Sequence, residues 1–231
     1  MSSNELTLYS GPRRAKDQSP GEGPAKVADM VSFSDGSGPA PSAVYVERDL
    51  PQGGITAYLA ARGSGARSFA LWADDQRRQR VASVVTLSAG GGVATFQVLG
   101  AHGEVIGTLK REKALRGRGL RTRWTVHQSG GPEAVGFKGR IVWWWMWWLL
   151  LPLMLATLVS TVIDGVPGNE SGFARAPRRI RWRANGQVPL EFRSKGDKLY
   201  LHAPGVDWRL GAALIALLRS FHSGAWDSSK K

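Results

Sequence analysis

The stretch DWRLGAALIALLRSFH, residues 207–222, decides how the rest of the chain has to be arranged. Between Arg209 and Arg219 it holds an uncharged run, Leu210 to Leu218, whose Ala and Leu content favours helix. The run is apolar all round. As a helix it is about 14 Å long at about 1.5 Å per residue, under half of a hydrocarbon core of about 30 Å, so it cannot span a bilayer. A helix that is apolar on every face and too short for a membrane has to be surrounded by protein.

The segments that could surround it read as strands. From Ala43 onward short apolar or alternating runs recur, separated by Gly-rich or charged breaks: AVYVE (43–47), ITAYLA (55–60), RSFALWA (67–73), RVASVVTL (80–87), VATFQVL (93–99) and EVIGTLKR (104–111). RTRWTVHQ (121–128), PEAVGFKG (132–139), RRIRWRAN (178–185), VPLEFRS (188–194) and DKLYLHA (197–203) follow. The expected fold is mostly β, an antiparallel barrel enclosing the C-terminal helix, because closure removes sheet edges and an interior supplies the apolar surroundings that Leu210–Leu218 needs. The barrel domain is expected over 43–222. Residues 1–42, rich in Ser, Gly and Pro with few large apolar residues, read as a disordered tail, and 223–231 as a short C-terminal tail. Two strand candidates share a local form, Arg121-Thr-Arg123-Trp124 and Arg179-Ile-Arg181-Trp182.

Three stretches carry a family resemblance. ATFQVLGAHGEVIGTLKRE (94–112), RTRWTV (121–126) and DWRLGAALIALL (207–218) together resemble the tubby-like superfamily, which includes phospholipid scramblases and LURP-one-related proteins. The matching features are Phe96 and Val98 entering a turn, Gly103-Glu104 leaving it, Ile106-Gly107-x-Leu109 as the return strand, and Asp207 to Leu218 as the enclosed helix. The resemblance covers roughly residues 43–222 and implies a closed barrel around a C-terminal helix, with a role at lipid. The chain departs from it at 141–163, a segment longer and more apolar than a barrel strand.

That segment, IVWWWMWWLLLPLMLATLVSTVI, holds five of the ten tryptophans and no charge before Asp164. As a helix it would reach about 35 Å, enough to cross a bilayer. Trp143, Trp144, Trp145, Trp147 and Trp148, followed by Leu149, Leu150 and Leu151, suit the interfacial belt and the lipid just beneath it. The flanks are equally basic: Arg121, Arg123, Lys138 and Arg140 before, Arg175, Arg178, Arg179 and Arg181 after. Such symmetry fits entry and exit on one side, bent near Pro152. A single span, or burial within a soluble fold, are the other readings of the same residues.

The formal net charge of +13 belongs to the expected domain, since residues 1–42 sum to about −1. Arginine in excess of lysine, with abundant Gly and Ala, is also what a GC-rich bacterial genome produces unselected. The densest basic run is Lys110, Arg111, Lys113, Arg116, Arg118, Arg121 and Arg123 against Glu112 alone. It suits anionic headgroups, each cation near the surface contributing about 1 kcal/mol. Nucleic acid is the weaker partner, because the clear aromatic cluster lies in surroundings too apolar for base stacking.

Catalytic patterns are missing. Gly131 to Lys138 has the glycine spacing of a phosphate loop without its Gly-Lys-Ser/Thr ending, and there is no nucleophile elbow, paired-histidine zinc motif or cysteine. Asp74 and Asp75 read as a solvated turn. No metal or cofactor is expected. These readings converge on a non-enzymatic, lipid-interacting protein at the cytoplasmic face of the cell membrane, since the N-terminus lacks a secretory signal. The alternatives are a soluble cytoplasmic barrel binding a protein or nucleic acid, and a single-pass membrane protein.

Overall fold

The computed structural model describes residues 4–10, 27, 29–34, 43–115, 119–138, 179–222 and 225–228. Twelve antiparallel strands form a closed barrel in which each pairs with its neighbours in sequence. They are β1 (Asn4–Ser10), β2 (Asp29–Ser34), β3 (Ala43–Arg48), β4 (Phe69–Trp72), β5 (Arg80–Gly90), β6 (Val93–Gly100), β7 (Val105–Glu112), β8 (Thr122–Gln128), β9 (Glu133–Lys138), β10 (Arg179–Ala184), β11 (Gln187–Arg193) and β12 (Lys198–Leu201). Helix α1 (Gly54–Ser64) lies between β3 and β4, and helix α2 (Trp208–Ser220) follows β12. The barrel closes where β1 meets β12, with Asn4 opposite Leu201 and Thr7 opposite Lys198.

Alternation sets which side chains fill the barrel. In β6, Ala94, Phe96 and Val98 are buried and their neighbours half-buried; in β10, Ile180, Trp182 and Ala184 are buried while Arg179, Arg181 and Arg183 face outward. Eight strands enclose a space that their own side chains fill, so twelve leave room for more. Here α2 occupies it. Every residue from Leu210 to Leu218 is buried, and Gly211 permits close approach to the wall: a Cβ there would lie 3.1 Å from Leu201 Cδ2. The five large aliphatic side chains of this run contribute about 1.5–3 kcal/mol each by leaving water.

The two Arg-x-Arg-Trp strands have a structural counterpart. Trp124 and Trp182 both stand opposite Gly136, one from β8 and one from β10, and both are buried. A Cβ on Gly136 would come within 3.0 Å of the Trp182 ring and 2.9 Å of Ile180. Glycine is what allows two indoles to flank one position of β9.

A buried helix must also satisfy its end groups. At the start of α2, Asp207 accepts from Arg209 N at 2.8 Å, and Gln128 Oε1 accepts from Asp207 N at 2.9 Å. At the other end the Trp226 indole donates to Ala216 O at 3.1 Å and Arg62 to Ser220 O at 2.7 Å. Trp226 belongs to a 3₁₀ turn (Trp226–Ser228) that closes this mouth beside α1. At its centre Asp227, fully buried, accepts from Tyr58 at 2.8 Å and from two nitrogens of Arg62 at 2.8 and 2.9 Å, with Arg67 Nε at 3.2 Å. Burial, then the Asp227 charge, push the Tyr58 hydroxyl upward, so it stays a donor. Burial lowers the Arg67 guanidinium to about 10 against the pull of Asp227, which leaves it charged at neutral pH.

Three expectations change, and a fourth lies outside the described residues. The tail 1–42 contains β1 and β2, with Leu6 and Val31 fully buried; the alternation of two short strands is diluted in a Ser, Gly and Pro-rich context, and their ladders come from distant partners. ITAYLA is not a strand but the body of α1, where Tyr58 turns inward and alanines favour helix. The tail 223–231 includes the Trp226–Ser228 turn, with Trp226 and Asp227 buried. Among the described residues no helix is long and apolar enough to cross a membrane, and the 141–163 tract, whether bent or single-pass, lies outside them.

Leu214 is fully buried on α2. Leu214→Asp places an unpaired carboxylate in the lumen at a cost of several kcal/mol against a typical stability of about 5–15, so the variant is expected in the unfolded fraction by circular dichroism. Asp227→Ala strands two guanidiniums and is expected to lower stability by about 3–5 kcal/mol, read as the shift of a urea unfolding midpoint. An unchanged midpoint removes this latch from the account of the fold.

Candidate functional site

Strands alternate in direction, so every connection from an odd strand to the next even one opens at the mouth where α2 ends. Two of these connections are neighbours on the rim. The first, between β7 and β8, is the basic loop 113–121; the second, between β9 and β10, runs through 139–178 and includes the Trp-rich tract. Trp182 pairs with Gly136 and Arg183 with Val135, which sets the ends of the second connection, Lys138 and Arg179, side by side. The connection leaves and returns at adjacent points of one mouth.

The rim is also apolar. Among the described residues the exposed large apolar side chains are Tyr9, Leu50, Leu87, Leu115, Leu120 and Phe137 at this mouth and Val105 at the other. Leu115 is the most exposed, at 74%, and it sits in the left-handed region at φ 66°. A bulky residue held there costs about 1–3 kcal/mol, and the loop is braced by Leu115 N donating to Gly119 O at 3.0 Å. A strained loop thus presents two leucines to solvent among cations. The Arg121 guanidinium lies 4.6 Å from the centre of the exposed Phe137 ring, joining charge and aromatic surface at the root of that loop.

The basic residues divide into three groups. Lys113 is exposed on the loop with Arg121 at its base. Lys110 and Arg123 lie on the outer wall, 3.4 and 3.6 Å from Glu112, with Arg123 also 3.6 Å from Glu133. Arg111 turns inward, its guanidinium 4.1 Å from the Phe221 ring, and is no surface contact. Arg116, Arg118 and the tract with Trp143, Trp144, Trp145, Trp147, Trp148, Leu149, Leu150 and Leu151 lie outside the described residues. Sequence reading did not single out Tyr9, Leu50 or Leu87. Lone apolar residues at strand ends carry no periodic signal, and only the topology brings them together.

On the outer wall, charge is consumed. Glu191 on β11 accepts from Arg179, from Arg193 Nε at 2.6 Å and from Arg181 Nε at 3.3 Å. Burial acts to raise its pKa, but the hydrogen bonds and charges of Arg179 and Arg193 overcome this and hold it at about 2. Asp74 caps its turn by accepting from the backbone of Gln76, Arg78 and Gln79. No group of acidic or histidine side chains suited to a metal occurs among the described residues.

The folded pKa of Glu191 lies below its ordinary value of 4.5, so its contribution is present above that value and is lost as pH falls toward about 2. Glu191→Gln is expected to flatten the acid limb of the stability curve between about pH 4.5 and 2, measured by urea unfolding across that range. An acid limb as steep as that of the parent would assign it to other carboxylates. No family model, curated protein or solved structure matches this chain, so the mouth is read from its own chemistry.

Proposed function

We propose that this chain is a non-enzymatic, membrane-associated barrel of tubby-like type that docks the mouth where α2 ends on an anionic lipid surface, at the cytoplasmic face of the cell membrane. One observation carries the reading: exposed apolar side chains, the basic loop and both ends of the tract-bearing connection meet on a single rim. The two forces of peripheral binding, apolar insertion and attraction to anionic headgroups, act from the same face. Because Lys138 and Arg179 are neighbours, a tract inserting from this rim enters and leaves lipid on one side, without dividing the barrel across a membrane. The twelve-stranded barrel around a C-terminal helix is of the kind the tubby-like resemblance implies, which supports the lipid role. Nucleic acid is less well served, since the outward arginines of β10 nearest the rim are engaged by Glu191.

The reading is tested by flotation of the full chain with vesicles of phosphatidylcholine, with and without phosphatidylglycerol. Replacing both Leu115 and Leu120 with Asp is expected to weaken partitioning at least tenfold, the equivalent of about 1.4 kcal/mol. Lys113→Gln with Arg121→Gln should weaken binding several-fold at low salt, at about 1 kcal/mol per cation, and make little difference in high salt. A parent protein that stays in solution, or loop variants that float as it does, would overturn the proposal and leave a soluble barrel with a protein partner.

A further inference from the structure

Behind the rim, at the end of α2, a small cavity opens between β7, β8, β9 and β10. Arg111, Lys138 and His222 line it together with Thr122, over an apolar floor that includes Trp124 and Leu218. Its volume of about 40 Å³ has room for about three waters, enough to seat one small oxyanion.

The charges around it are unbalanced. Arg111 is held flat by the rings of Phe221, at 4.1 Å, and Trp124, at 6.0 Å, and has no carboxylate or hydrogen-bond acceptor among the described residues. Stacking fixes the guanidinium without spending its donors or neutralising it. Its neighbour across Phe221 behaves otherwise: Arg67 lies 4.3 Å from the same ring but gives its nitrogens to Ser220, Arg62 O, Ala66 O and Asp227. Lys138 likewise has no acidic partner among the described residues. Burial, then the charge of Arg111, lowers its ammonium. His222 is lowered by burial, then by Lys138 and Arg219, with only Asp197 opposing, and Asp197 is engaged by Arg219 at 3.3 Å. Three donors of positive or potentially positive charge therefore converge on a space that a small anion would fill, with the Thr122 hydroxyl beside them.

We propose that this cavity is an oxyanion site that receives a single phosphate group between Arg111, Lys138 and His222, the group coming either from free phosphate or from the phosphodiester of a lipid headgroup. The inference rests on the cavity and stands apart from docking of the rim. Binding of an anion stabilises the imidazolium, so His222 reports on occupancy while His102, His127 and His202 serve as references in the same molecule.

The test is a proton-detected titration of the four imidazoles in the full chain, with sodium phosphate against sodium chloride of equal ionic strength, and with soluble dihexanoyl phosphatidylglycerol as the second arm. Occupancy is expected to raise the His222 pKa by about half a unit or more and leave the other three in place. Arg111→Gln and Lys138→Gln should each reduce that shift, with native circular dichroism as the control for folding. A response to phosphate assigns free phosphate as a ligand, and a response to the lipid alone assigns the headgroup. The site is overturned if neither probe moves His222, or if the shift persists in both folded variants. Rim variants that no longer float while His222 still responds would remove docking and keep the cavity.

Discussion

An apolar helix can sit inside a protein only if its side chains are enclosed and its terminal peptide groups find partners, and α2 imposes both demands on the rest of this fold. The wall answers the first with inward rows from several strands, including Leu6, Phe96, Leu109 and Leu199. The second is met by groups far apart in sequence: Gln128 at the entry, Trp226 and Arg62 at the exit. Buried polar groups are costly when half satisfied, which explains why one carboxylate, Asp227, gathers a tyrosine and two arginines from α1 and the segment just after it.

Charge in this molecule is sorted by location. On the wall, Arg179, Arg181 and Arg193 converge on Glu191, and under the closed mouth Arg62 and Arg67 converge on Asp227. In both places one carboxylate engages the donors of more than one guanidinium, so part of the positive charge is tied into local pairs while an excess remains. Among the described residues Lys113 on one rim and Arg111 and Lys138 in the cavity behind it stand outside such pairs. Net charge summed along a chain does not say which cations are paired, whereas strand order and register do.

The central helix was legible because its apolar run is too short for lipid and too uniform for a surface. Strands β5 to β12 were legible for the same kind of reason, since period-two patterns such as VATFQVLG leave one face to bury. β1 and β2 were not, because NELTLYS and DMVSFS are brief islands whose stability is non-local, supplied by β12 and β3. α1 was misread because a six-residue apolar run has too little length to separate the two periods. Of the candidate site, the basic loop and tract were visible as composition, but their adjacency was not. It follows from strand order, as does the inward turn of Arg111, whose partner Phe221 lies 110 positions away.

Because β1 pairs with β12 and α2 follows β12, the centre of the barrel is made only after all of its walls. Throughout synthesis the inward faces of the earlier strands have nothing to enclose, and the ring cannot shut until its first strand is joined by its twelfth. Such non-local closure is slow, and the waiting surface is prone to association with other chains. Until α2 is made the lumen has nothing to fill it, and a chaperone near the exit tunnel would meet those inward faces before the helix does.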